Sequence, residues 1–177
     1  MQTNKFGLED LVIGDMLLVR GQNWVSRAIH RFTDSQYSHA CCYIGDEFII
    51  ESAVGGVQIN HLSKYPEYTV VRHIDGDEKL LRKATDIMIS NVGKKYDYTG
   101  LVGIALKKIF NKKRNWFDVK SRYWCSELVA DAYLQAGLSL NVCENTYDTS
   151  PADLKRDMFT NIIYKDWKFE RKECYTH

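Results

Sequence analysis

Apolar and polar positions along this chain switch between the two-residue period of strands and the helical period. From 12 to 20 the chain reads as a turn at Gly14-Asp15 feeding a buried strand. Residues 23–32 put Trp24, Ala28, Ile29 and Phe32 on one side of a helix, and the polar run 33–36 breaks it. Two β-prone runs, 37–44 and 48–53, flank a three-residue loop, Gly45-Asp46-Glu47, which is the pattern of a β-hairpin. Gly55-Gly56 turns into a short strand at 57–61, and 68–73 reads as another, so the sheet is expected to be mainly antiparallel. Leu80, Leu81, Ala84, Ile87 and Met88 predict a helix over 77–92, closed by Gly93. A second helix is expected after 96–98, through Leu101, Val102, Ala105 and Ile109. Leu128, Val129, Ala132 and Ala136 follow Cys125 at helical spacing, with Gly137 in the place of a C-cap glycine. Residues 149–154 read as a capped turn entering a short helix, 161–169 as a last strand, and no internal repeat is present.

Two places in this pattern carry chemistry. Cys125 falls in the first turn of its helix, where unpaired N–H groups and the positive end of the helix dipole favour a thiolate. The same position also suits a small buried apolar residue, which is what most free cysteines are. In the hairpin, pairing Ile44 with Phe48 sets Cys41 opposite Glu51 and makes His39 the diagonal neighbour of Glu51. An ionisable pair then shares one face of an apolar hairpin. The alternative is one polar rim residue on each strand.

Length and composition narrow the classes. The 177 residues are enough for one domain, 1–177, with a sizeable core. A net charge of +1 gives no general reason to expect nucleic acid or another polyanion as partner. No apolar leader or membrane-length apolar run is visible, and five cysteines, two of them adjacent, make a poor disulfide framework. The expectation is therefore a cytoplasmic, reducing setting. The absence of a CxxC pair argues against a structural zinc site, and no metal or cofactor is expected. One basic stretch, 107–122, interleaves Lys107, Lys108, Lys112, Lys113, Arg114, Lys120 and Arg122 with Phe110, Trp116 and Phe117. It reads as a solvated loop first, the alternative being a contact for an anionic membrane surface or nucleic acid.

A nucleophilic cysteine needs a base, and a third polar group to orient that base. Of the five histidines, His30 sits among Arg27 and Arg31, His177 is the last residue, and His61 and His73 end strands without an acidic neighbour in the expected pairing. His39 alone has a candidate orienter, Glu51.

The order histidine strand, acidic strand, cysteine helix resembles the circularly permuted papain-like hydrolases of the NlpC type, in particular their YiiX-like branch. Six segments carry the resemblance: Gly14-Asp15, Tyr37-Ser38-His39 with Tyr43-Ile44-Gly45, Ile50-Glu51-Ser52, Gly93-Lys94-Lys95-Tyr96-Asp97, Tyr123-Trp124-Cys125-Ser126-Glu127-Leu128-Val129, and Ser150-Pro151-Ala152-Asp153-Leu154. The resemblance implies an α+β, permuted papain-like fold, its antiparallel meander or barrel-like sheet packed against helices. It implies Cys125 as nucleophile, His39 as general base and then acid, and Glu51 as orienter, with Tyr96 beside the site where a phenol can help bind an oxyanion. Cys41, directly after the histidine strand begins, is read as a core filler, the alternative being a second reactive thiol. The implied activity is hydrolysis of an amide bond (peptide, isopeptide or N-acyl) through an acyl-enzyme, on a peptide, N-acyl or lipid-like substrate. A lipid or fatty-acyl binding protein, or an acyltransferase, on the same fold is the competing expectation. An intact triad favours the enzyme.

Overall fold

A computed structural model describes residues 6–20, 36–96, 122–140, 146 and 149–169. Within them run β1 (Met16–Val19), β2 (His39–Gly45), β3 (Phe48–Ala53), β4 (Gly56–His61), β5 (Tyr68–His73), α1 (Glu78–Ser90), β6 (Lys95–Tyr96), β7 (Arg122–Tyr123), α2 (Cys125–Ala136), α3 (Pro151–Arg156) and β8 (Thr160–Trp167). The helices expected at 23–32 and after 98, and nearly all of the basic stretch, lie outside the described residues. No helix among the described residues is long and apolar enough to cross a membrane.

Six strands form one antiparallel sheet in the order β4-β3-β2-β1-β5-β8. The sheet is open, not barrel-like. On its β4 side the backbone partners come from the 93–94 loop instead: Val57 N–H donates to Lys94 O at 2.8 Å, and Gly93 N–H to Val57 O at 2.9 Å. Only glycine permits this docking. Gly56 has φ 109°, and a Cβ there would lie 2.1 Å from Lys94 O. At the opposite edge the β5–β8 pairing carries two register shifts, the kind of irregularity that blunts an edge strand as a template for further pairing.

Side-chain alternation sends the sheet's apolar residues to both faces. Met16, Leu18, Ala40, Cys42, Ile50 and Val71 pack with Leu81, Ala84 and Met88 of α1 and Leu128, Val129, Ala132 and Tyr133 of α2. Leu17, Val19, Cys41, Tyr43, Ile49 and Val70 pack with Leu62, Tyr68 and Trp167 on the other side. Coverage of both faces explains why β1 reads as an unbroken apolar run rather than an alternating one. The same turn that starts β1 buries Asp15, which Arg72 of β5 grips with Nε and Nη2 at 2.6 and 2.7 Å. Removing one member of such a pair strands the other's charge in the interior.

Three local expectations are adjusted. The β2–β3 loop has two central residues, Asp46 (φ 49°) and Glu47 (φ 65°), both in the positive-φ region that a type I′ turn requires. Gly45 pairs with Phe48, so Ile44 does not; the irregularity between Tyr43 and Gly45 absorbs the odd residue and leaves Cys41 opposite Glu51 as expected. Helix α1 starts as the sequence suggests, with Asp77 accepting from Leu80 N–H at 2.7 Å, but stops at Ser90. Asn91 caps its end through Nδ2 to Ile87 O (2.7 Å), and Gly93 (φ 88°) serves the turn that returns to β4. By contrast Gly137 (φ 100°) does close α2, and Ser150 caps α3 with its hydroxyl accepting from Asp153 N–H at 3.3 Å.

Candidate active site

His39 opens β2. The residue pair before it is anchored: Tyr37 is buried, its hydroxyl 3.0 Å from Thr69 Oγ1, with the Arg20 and Lys155 cations 5.7 and 5.2 Å from its ring centroid. From this fixed start the imidazole Nε2 lies 2.5 Å from Glu51 Oε2. The Cys125 thiol lies close enough to the same ring for each group to shift the other's titration. With Nε2 committed to the carboxylate, Nδ1 is the nitrogen left for sulfur.

Cys125 is the first residue of α2, the helix whose Leu128, Val129, Ala132 and Tyr133 pack on the Ile50 face of the sheet. Adjacent residues of β3 hold the two halves together, since Ser52, next to Glu51, donates its hydroxyl to Tyr123 O at 2.5 Å. Glu127 accepts from Trp124 N–H at 3.2 Å, Ser126 donates to Thr149 O at 2.7 Å, and the Tyr133 hydroxyl reaches Gly14 O. These bonds fix the helix start against β1, β3 and the loop before α3.

The electrostatics follow from burial set against contact. Burial alone pushes the Cys125 thiol up. The hydrogen bond and charge of His39, with backbone donors at Ala40 and Ser126, outweigh it and leave the thiol below its ordinary value. For His39 burial pulls down, but the hydrogen bond and charge of Cys125, then of Glu51, raise it to about 9. Glu51 is resisted by burial too, yet the hydrogen bonds and charge from His39, with the hydrogen bonds from Lys64 and Tyr65, bring it to about 2. Both partners therefore favour the thiolate–imidazolium state.

The sequence expectation placed His39, Glu51 and Cys125 together, and the structure brings them together. Tyr96 lies in β6 and pairs with Tyr123 of β7, two positions before Cys125, which sets its backbone beside the start of α2. Cys41 and Cys42 are fully buried free thiols that burial, first of all, pushes upward; Cys41 donates to Leu17 O at 3.4 Å, the behaviour of core fillers. His61 does have an acidic neighbour, Glu47 Oε2 at 3.1 Å, because His61 pairs with Phe48 and Glu47 directly precedes that residue. His73 is structural: Nε2 is 2.8 Å from Ser139 O and Nδ1 accepts from Asp75 N–H. His30, His177 and the two remaining cysteines, Cys143 and Cys174, lie outside the described residues.

Three residues around Glu51 were not anticipated. Asn60 Nδ2 donates to Oε1 at 2.8 Å, Lys64 Nζ also reaches Oε1, and the Tyr65 hydroxyl donates to Oε2 at 2.6 Å. Asn60 was within reach of the period-two argument, because Gln58 pairs with Glu51 and Asn60 is then its diagonal neighbour. Lys64 and Tyr65 follow from a 3-10 turn, Leu62–Lys64, which leaves no periodic trace in sequence.

Comparisons with known proteins agree with this architecture. The chain is 28% identical to the probable lipoprotein peptidase YaeF of Escherichia coli (strain K12), over 82% of this chain and 63% of that protein, so it spans less than two thirds of its relative. Its fold matches the crystal structure of metalloprotein yiiX from Escherichia coli O157:H7 with a TM-score of 0.65 and 19% identity, covering 88% of this chain and 98% of the other. Among the described residues of this chain no group of three or more His, Cys, Asp or Glu could hold a metal ion. The model of the permuted papain-like amidase enzymes, the YaeF/YiiX, C92 family, matches residues 10–164. It supports the YiiX-like part of the resemblance; the NlpC type is a coarser grouping and a somewhat different branch. With most of its length covered by that match, the chain belongs to the YaeF/YiiX, C92 family of permuted papain-like amidase enzymes.

Proposed function

We propose that this chain is a cysteine hydrolase of amide bonds, with Cys125 as nucleophile, His39 as base and acid, and Glu51 as orienter. The observation that carries this reading is the His39 ring held between the Cys125 thiol and the buried Glu51 carboxylate, 2.5 Å from Nε2. In the forward step the thiolate attacks the carbonyl carbon, a C–S bond forms and the carbonyl electron pair moves onto oxygen. The Cys125 N–H at the positive end of α2 is the first donor for that oxyanion, and Tyr96 is proposed as the second. As the tetrahedral species collapses, the C–N bond breaks and the His39 imidazolium gives its proton to the departing amine. The neutral imidazole then takes a proton from water, the resulting hydroxide opens the thioester, and Cys125 leaves as thiolate. The relative's name, a probable lipoprotein peptidase, favours a peptide or N-acyl amide as substrate.

The test is an acid-quenched incubation with a panel of peptide and N-acyl amides, read by intact mass and by product release. Wild type is expected to carry an acyl adduct on Cys125, and Cys125→Ala to lose turnover by about 10³-fold or more. Full turnover by Cys125→Ala on a substrate that wild type cleaves refutes the assignment. A reducing, cytoplasmic setting is proposed from the odd cysteine count and from three unpaired thiols among the described residues. Disulfide-linked cysteines in the native protein, isolated with its thiols blocked at lysis, overturn it.

A further inference from the structure

Glu51 is 0% exposed, and each of its oxygens accepts two hydrogen bonds. Oε2 faces His39 and Tyr65, and Oε1 faces Asn60 and Lys64. Among these four, Lys64 carries a positive charge that does not depend on the state of the Cys125–His39 pair. Its position is built. Leu62 is fully buried, its N–H donates to Glu47 O at 2.7 Å, and its carbonyl accepts from the Tyr68 hydroxyl. His61 Nδ1 accepts from Ser63 N–H at 3.1 Å and so caps the 3-10 turn. The turn aims Lys64 inward, while a third of its side chain still reaches solvent.

The charge balance gives this placement a consequence. With Lys64 in place the Glu51–Lys64 pair sums to zero, whether the thiol and imidazole are neutral or form an ion pair. Without it, a buried carboxylate has His39 as its one cationic partner among the described residues. The ring is then held in its protonated form even when Cys125 is a neutral thiol. An imidazolium bound that tightly is a poor acid for a leaving amine.

We infer that Lys64 is a positioning residue of this site: it neutralises Glu51 and fixes Oε1, so that Oε2 orients His39 without trapping its proton. The inference rests on the proposed roles of Cys125 and His39. The titratable and charged groups that face this cluster are Glu51 on β3, Cys41 on β2, Tyr68 on β5, Cys125 on α2, and Lys64 and Tyr65 from the turn. Removing the one lysine among them makes the surroundings of both titrating groups more negative. Both then hold their protons to higher pH.

The experiment is the pH profile of Cys125 alkylation by iodoacetamide, followed by peptide mass spectrometry, in wild type, Lys64→Met and Lys64→Arg. Circular dichroism checks that each is folded, and Lys64→Gln, which keeps an N–H donor, replaces Lys64→Met if that variant does not fold. Wild type is expected to show two inflections, thiolate formation and imidazolium deprotonation, belonging to the coupled pair. Removing a unit charge on the order of 6 Å away moves both upward by between about 0.5 and about 2 units in Lys64→Met. Lys64→Arg keeps the charge and stays within about 0.2 unit of wild type. Inflections in the neutral variant that coincide with wild type overturn the inference, as does an equal shift in Lys64→Arg. A wild type with no low-pH inflection instead overturns the nucleophile–base reading on which it rests.

Discussion

Glu51→Gln is the perturbation whose outcome the structure quantifies best. Against the resistance of burial, His39, Lys64 and Tyr65 bring the Glu51 carboxyl down to about 2 in the fold, from 4.5 for an ordinary glutamate. A depressed carboxylate contributes stability that is complete above its unfolded pKa and is lost as pH falls through the folded one. The gap of 2.5 units (4.5 − 2) corresponds to about 3 kcal/mol at 1.36 kcal/mol per unit. At pH 6 that contribution is whole, and by pH 3 only about 1 kcal/mol of it remains. Glutamine loses all of it and adds a penalty that does not vary with pH. Its amide NH2 must face two of the four donors now pointing at the carboxylate, which costs about 1–3 kcal/mol. Urea denaturation at pH 6 and pH 3 measures the difference. The variant is expected to be less stable at pH 6 by about 4 kcal/mol or more, and the gap to close by about 2 kcal/mol at pH 3. A gap unchanged between the two pH values, or below about 1 kcal/mol at pH 6, refutes the picture of a buried, ionised, fully bonded Glu51.

Two further outcomes follow from other parts of the molecule. In His39→Ala the buried thiol loses the contact that opposes burial, so alkylation of Cys125 at pH 6 is expected to slow at least about tenfold. Cys41 and Cys42 stay unreactive in both proteins, and an unchanged Cys125 rate removes His39 from the activation of the thiol. Arg72→Met leaves Asp15 buried without its bidentate partner and is expected to cost about 2–3 kcal/mol, just below the roughly 3–5 kcal/mol of a fully buried pair because Arg72 is partly exposed. An unfolding free energy from urea denaturation within about 1 kcal/mol of wild type argues that water replaces the lost pair.

Much of this was legible in the sequence wherever a period or a cap reports geometry. The hairpin pattern placed His39 diagonally from Glu51, and the distance between Nε2 and Oε2 is 2.5 Å. The apolar repeat after Cys125, with Gly137 behind it, located α2 and both of its ends. Illegible were features made by single residues acting on distant backbone. Asp46 and Glu47 adopt positive φ without a glycine, which local propensity does not suggest. The two-residue strands β6 and β7 are too short to leave an alternation. Lys64 appears in sequence as an ordinary surface cation beside a tyrosine, and its role depends on a buried leucine two positions earlier that turns the chain inward.

The distribution of the site along the chain bears on when reactivity arises. His39, Glu51, Asn60, Lys64 and Tyr65 all come from β2, β3, β4 and the turn after them, joined by hairpins between neighbouring strands. Cys125 arrives from much farther along the chain. Contacts between sequence neighbours close early and cheaply, whereas distant ones wait on loop closure. A chain that has paired only its hairpins holds a finished proton acceptor but an ordinary thiol. The sulfur meets His39 only when α2 docks on the sheet, so under the roles proposed above a nascent or partly unfolded molecule carries no activated nucleophile, and fast alkylation at Cys125 is expected to double as a reporter of completed folding.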